Sequence, residues 1–93
     1  MRPRGSGYLG AYVEETKDGV KVMDVRPASP ADEAGLQVGD VILAVNDRKI
    51  SSRDELLQRL WQRKPGARVR FTLKRDGQDL EIEAVLGRNP DDE

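Results

Sequence analysis

The stretch AGLQVGDVILAVND, residues 34–47, decides the fold. Gly35 is suited to end a preceding helix in the left-handed conformation, and Val38-Gly39-Asp40 makes a turn. Val41-Ile42-Leu43-Ala44-Val45 is then a nearly continuous apolar run, the kind a strand shows when both of its faces are covered. Asn46-Asp47 closes it.

On the N-terminal side, Ser29 is placed as a helix N-cap, Pro30 takes the first helical position without wasting an amide, and Asp32 at the third can answer the cap. Upstream, Val20, Val22 and Val25 alternate with Lys21 and Asp24. The two-residue period slips by one near Met23, the mark of a β-bulge. Lys17-Asp18-Gly19 supplies a turn, and Tyr8 to Val13 reads as a strand entered through a glycine-flanked turn. On the C-terminal side a second helix starts at Ser51 or Ser52, where Ser52 and Glu55 satisfy the capping-box spacing, and Pro65-Gly66 ends it. Leu56, Leu57, Leu60 and Trp61 form a stripe on it wider than one core contact needs, so it can serve two neighbours. Val69, Phe71 and Leu73 alternate with charged residues, and Asp76-Gly77 is a two-residue hairpin turn returning through Leu80 and Ile82. About five strands with two unequal helices and no regular alternation predict an α+β domain whose mostly antiparallel sheet curls around one core.

Composition narrows the function. In 93 residues there are 16 Lys plus Arg, 17 Asp plus Glu, and neither His nor Cys. One domain of this size buries about two thirds of its unfolded surface, enough for a core but not for a core plus a walled cleft. Function must sit on a groove or a face. The missing His and Cys remove the usual general base, the thiol nucleophile and the preferred ligands of zinc, copper and haem iron. A net charge of −1 argues against nucleic acid, although Arg and Lys cluster locally in the second half. No run approaches the roughly 18 apolar residues of a membrane span, and residues 1–6 lack the apolar core of a signal peptide.

Gly7-Tyr8-Leu9-Gly10 is the most informative short segment. Two glycines three apart let successive amides turn inward as a concave anion nest, or merely allow a tight turn. Leu9 and Ala11 share a face of the strand, and Arg53, Leu57, Leu60 and Trp61 share a face of the long helix. If the helix lies beside the strand, they line a groove. Alternatively Leu57 and Trp61 are ordinary core, and Leu56 and Leu60 belong mainly to core. A wall, a floor strand with a free edge and a nest at one end describe a slot for an extended peptide ending in a free carboxylate.

Tyr8-Leu9-Gly10-Ala11 as a loop, Ser29-Pro30-Ala31 through Ala34-Gly35-Leu36 as a short helix and its exit, and Leu36, Gly39, Asp40, Ile42, Leu43, Val45 and Asn46 as a central signature are joined by the long helix from Ser52 and the hairpin through Arg75-Asp76-Gly77. With these residues the sequence resembles a PDZ domain, of the bacterial type found in HtrA-type serine proteases. The resemblance covers residues 7–87, leaving 1–6 as a flexible N-terminal tail and 88–93 as a flexible acidic one. It implies a PDZ-like, five- to six-stranded, partly open barrel or sandwich capped by one short and one long helix. It also implies a peptide-binding module without catalysis of its own, serving as the substrate-recognition or regulatory domain of a larger protease. In that family's pattern Tyr8, Leu9 and Gly10 present amides to the ligand carboxylate. Leu9, Ala11, Leu57 and Leu60 line the last-residue pocket, and Tyr12 pairs with the peptide backbone. Arg53 faces the side chain two residues before the ligand's end, and Arg4 adds a cationic contact.

Two departures stand out. Ala11 is smaller than usual after the loop glycine, which implies a roomier pocket for larger apolar ends if Trp61, on the groove face of the helix, does not lean in to fill it, and the class-defining His at the start of the long helix is absent. The implied partners are C-terminal or unfolded segments of other proteins, with no nucleic acid, membrane insertion, cofactor or metal, and a monomer in isolation. The implied parent is periplasmic, extracytoplasmic or membrane-tethered. Two competing functions are weighed against this one. A scaffolding domain would dock internal segments or self-associate, although the tail Asn89 to Glu93 is too polar for an apolar pocket. An autonomous enzyme would need Asp32 with Glu33, or Asp54 with Glu55, in a cleft, and both pairs are better explained as first-turn acids facing a helix dipole.

Overall fold

The computed structural model of the protein describes residues 7–88. The elements run β1 (Gly7–Tyr8), β2 (Ala11–Thr16), β3 (Gly19–Val25), α1 (Pro30–Ala34), β4 (Val41–Val45), β5 (Arg48–Lys49), α2 (Arg53–Trp61), β6 (Arg68–Arg75), β7 (Gln78–Val85) and β8 (Gly87–Arg88). The apolar run 41–45 is indeed the central strand. The main sheet has the order β2-β3-β4-β6-β7 with β5 on β4, all antiparallel, and β1 pairs with β8 as a separate ribbon. β2 and β7 do not meet, so the sheet stays open.

The run is continuous for a different reason than cover on both faces. The pairing of β4 with β6 skips Leu43, and this bulge swaps the alternation so that Ile42 and Val45, three apart, both face the core. Val41, Leu43 and Ala44 remain half-buried. The slip expected at Met23 is present, because Tyr12 pairs with Asp24 and Val13 with Val22. The core joins Val20, Val22, Ile42, Val69, Phe71 and Leu73 of the sheet to Leu56, Leu60 and Leu86. Two-residue turns with positive φ close both hairpins that need type I′ geometry, at Asn46-Asp47 and at Asp76-Gly77.

Both helices start where the caps predict. Ser29 Oγ accepts from the Asp32 amide at 3.2 Å, and Ser52 Oγ accepts from the Glu55 amide at 3.0 Å. In each the acid reaches one residue further back than a standard capping box, Asp32 to the Ala28 amide and Glu55 to the Ser51 amide. The Ser51 amide, followed by the Ser51 hydroxyl, is the leading reason the Glu55 carboxyl is held below its ordinary pKa. α1 ends at Gly35 with φ +88. α2 stops at Trp61, earlier than Pro65-Gly66, because the Arg63 amide turns to the Leu60 carbonyl and the Arg63 carbonyl accepts from Gly7. Arg88, expected in the tail, pairs with Gly7.

Asp40, read as a turn residue, is a keystone. It is 1% exposed and bound by Arg75 through Nε at 2.8 Å and Nη2 at 2.7 Å, with the Gln37 amide at 2.9 Å. Arg75 Nη2 also donates to the Gly35 carbonyl, so one ion pair ties the exit of α1, the start of β4 and the end of β6. Burial alone would raise the Asp40 pKa. The Arg75 hydrogen bonds, the Gln37 amide and the Arg75 charge outweigh it and hold the carboxyl below its ordinary value. The other cations of β6 also face acids: Arg68 pairs with Glu83, Arg70 with Asp47 and Glu81, and Lys74 with Asp79.

Candidate functional site

β2 lies at the edge of the main sheet, and among the described residues β3 is its only strand neighbour. The Arg26 amide donates to the Gly10 carbonyl at 2.9 Å, which makes the adjacent Ala11–Val25 pair a non-hydrogen-bonded one. Backbone groups alternate from there. Tyr12, Glu14 and Thr16 bond into β3, while Ala11, Val13 and Glu15 direct their N–H and C=O groups to the open edge. This corrects the expectation that Tyr12 would pair with a peptide, because its backbone is spent on Asp24. Its side chain, 60% exposed, stands on the outer face.

The loop before β2 is anchored through its carbonyls. The Leu9 carbonyl accepts from Ala31 at 2.8 Å, and the Gly10 carbonyl accepts from Arg26 and, at 3.4 Å, from Ser29 Oγ. Among the described residues, the Leu9 and Gly10 amides have no partner. Gly10 has φ +84, and a Cβ there would lie 2.4 Å from Ser29 Cβ, so only glycine fits. Leu9, Gly10 and Ala11 thus present three consecutive free amides. Tyr8 does not belong to that set. It pairs with Gly87, and since the Gly7 amide goes to the Arg63 carbonyl, alternation turns the Tyr8 amide into β8. A two-residue ribbon leaves no periodicity, which is why the sequence did not reveal it. Tyr8 contributes its phenol oxygen instead, which accepts from Arg26 Nη1 at 3.2 Å. Arg26, not singled out by sequence, is a cation beside the loop; Arg4 lies outside the described residues.

α2 runs beside β2 in the opposite direction. At its start the Arg53 amide donates to Glu15 Oε1 at 3.3 Å, and at its end the Leu60 and Arg63 carbonyls approach Gly7. Nine helical residues span about 13 Å, room for about four residues of extended chain. The stripe divides as its width suggested. Leu56 and Leu60 are core at 1% and 4% exposure, whereas Leu57 and Trp61 are half-buried and Arg53 is exposed. Leu9, at 5% exposure, is core as well, so of the residues expected to line the last-residue pocket only Ala11 and Leu57 are half-buried, and Leu9 and Leu60 can form no more than its floor. A separate cavity of about 430 Å³, lined by Asp18, Gly39, Val41, Leu43, Lys74, Asp76 and Gly77, lies outside this groove.

The described geometry is therefore an open strand edge, a helix across from it and a cluster of free amides at one end. A PDZ-domain family model matches residues 7–86. The serine endoprotease DegS of Haemophilus influenzae is 37% identical over 87 residues, 90% of this chain and 26% of DegS. The periplasmic pH-dependent serine endoprotease DegQ of Escherichia coli is 34% identical over 76 residues, 82% of this chain and 17% of DegQ. Among solved structures, the HtrA-type protease AlgW with a decapeptide superposes with a TM-score of 0.85 at 26% identity, over 91% of this chain and 30% of that one. The chain thus spans under a third of each of these proteins.

Proposed function

The chain belongs to the PDZ family, and from that premise we propose that it is a peptide-binding module that captures a partner's free C-terminal carboxylate and apolar last residue by β-strand addition. The observation that carries this reading is the coincidence of three free amides, Leu9, Gly10 and Ala11, with the open edge of β2. A carboxylate takes the amides, and the ligand backbone pairs with Ala11, Val13 and Glu15. Its last side chain enters between Ala11 and Leu57 above the buried Leu9 and Leu60, with Trp61 at the rim. The small Ala11 side chain favours a bulky apolar end. Arg26, held by Tyr8, adds positive potential at the carboxylate end.

We further infer that the parent is an HtrA-type serine protease outside the cytoplasm, in which this domain recognises substrates or regulates the protease while catalysis resides elsewhere. The names and coverage of DegS and DegQ support this reading. Binding of modest affinity then suffices, because a tethered protease raises the effective concentration of the ligand.

Fluorescence anisotropy with labelled peptides ending in phenylalanine tests the capture. The free acid should bind at least about ten-fold more tightly than the amidated peptide, since a charge-assisted hydrogen bond contributes roughly 1.5–3 kcal/mol. Equal binding of acid and amide would overturn carboxylate capture in favour of internal segments.

A further inference from the structure

Of the two acids on β2 that flank the open edge, only Glu15 shares the face of Leu9, Ala11 and Val13; Glu14 points to the outer face, opposite Lys21. Glu15 Oε1 accepts from the Arg53 amide across 38 residues of sequence, at the first residue of α2. This bond holds the carboxylate between the two walls of the groove, one helical turn upstream of Leu57. A single amide satisfies one of its roughly four acceptor positions, and among the described residues no Lys or Arg is paired with it. An exposed negative charge with spare acceptor capacity is thus tethered by one bond at the far end of the site.

In the register set by the free edge, a ligand whose last residue lies against Ala11 places the residue two before it opposite Val13. That side chain points into the groove, diagonal to Glu15, at the roughly 7–8 Å separation that long side chains bridge. Arg53 also stands at this level, and taken alone it would favour an acid there. Both side chains are exposed, but the Arg53 guanidinium has no partner among the described residues and must surrender more rotamer freedom to act, whereas the Glu15 carboxylate already accepts the Arg53 amide. We propose that Glu15 makes this groove select a basic side chain two residues before the ligand's C-terminus. The inference rests on the reading of the groove as a C-terminal peptide site.

The test compares the peptides Ala-Ala-Lys-Ala-Phe and Ala-Ala-Glu-Ala-Phe, each as free acid and as amide, on the 93-residue chain and its E15Q and E14Q variants. E15Q keeps an oxygen to accept from the Arg53 amide while losing the charge. The lysine peptide should bind wild type and E14Q about three- to ten-fold more tightly than the glutamate peptide. E15Q should bring the ratio close to one, as should roughly 0.5 M salt. If both free acids bind but the ratio is one in wild type, or survives in E15Q, the role of Glu15 is overturned while carboxylate capture stands. If no free acid binds better than its amide, the groove reading itself fails, and this inference with it.

Discussion

Replacing Arg75 with methionine isolates the worth of the buried pair on which α1, β4 and β6 converge. Asp40, 1% exposed, would keep the Gln37 amide on Oδ2 but lose the guanidinium bonds at 2.8 and 2.7 Å, leaving an uncompensated buried carboxylate. Breaking such a pair from one side costs about 3–5 kcal/mol, a large share of the roughly 5–15 kcal/mol that holds a domain together. D40N should cost less, about 1–3 kcal/mol, because the Arg75 side chain left behind is 25% exposed and can turn to water. The two variants should also differ in pH dependence. In the wild type the folded-state pKa of Asp40 is depressed, so its contribution is full at neutral pH and is lost as pH falls through the carboxylate range, below about 4. In R75M the burial effect is left to dominate and raises that pKa, so R75M should gain stability as pH falls from 7 towards about 4. Urea unfolding followed by far-UV circular dichroism and Trp61 fluorescence reads both effects, and with a slope of about 1 kcal/mol per M the R75M midpoint should fall by about 3–5 M. A loss under about 1 kcal/mol in R75M, or a D40N variant less stable than R75M, would refute this account of the pair.

Other substitutions separate groove from core. L57D should abolish binding of free-acid peptides while circular dichroism stays native, because Leu57 is only half-buried, whereas L60D forces a charge into the core and should leave the chain unfolded. G10A places a side chain at φ +84, costing about 1–2 kcal/mol, and drives its Cβ against Ser29; thermal unfolding should shift down and peptide affinity fall at least about ten-fold. S52A removes the acceptor for the Glu55 amide and should lower stability by about 1 kcal/mol in urea unfolding, with peptide specificity unchanged.

Local chemistry made much of this fold legible. Caps at Ser29 and Ser52, the Asp76-Gly77 turn and the slip at Met23 are each set by residues within a few positions, and the family resemblance supplied the arrangement around them. Long-range features were not legible. The Asp40–Arg75 pair joins residues 35 apart, and the bond from the Arg53 amide to Glu15 joins residues 38 apart, with no local pattern to announce either. The site suffered a subtler loss. Side-chain alternation along residues 9–13 is visible in sequence, but which backbone groups face the open edge depends on strand register, so the amide roles expected of Tyr12 and Tyr8 fall, by the pairing, to Ala11 and its neighbours. Leu43 repeats the lesson, since a bulge imitates a strand covered on both faces.

Amide hydrogen exchange by NMR, without and with a free-acid peptide ending in phenylalanine, tests the central claim most directly. In the free protein the Tyr12 and Glu14 amides should exchange slowly, and those of Leu9, Gly10, Ala11 and Val13 quickly. Saturating peptide should slow the second group, while its amidated counterpart protects Leu9 and Gly10 far less. Protection of Tyr12 in place of Ala11 and Val13, or no change at Leu9 and Gly10 with either peptide, would contradict carboxylate capture at the open edge of β2.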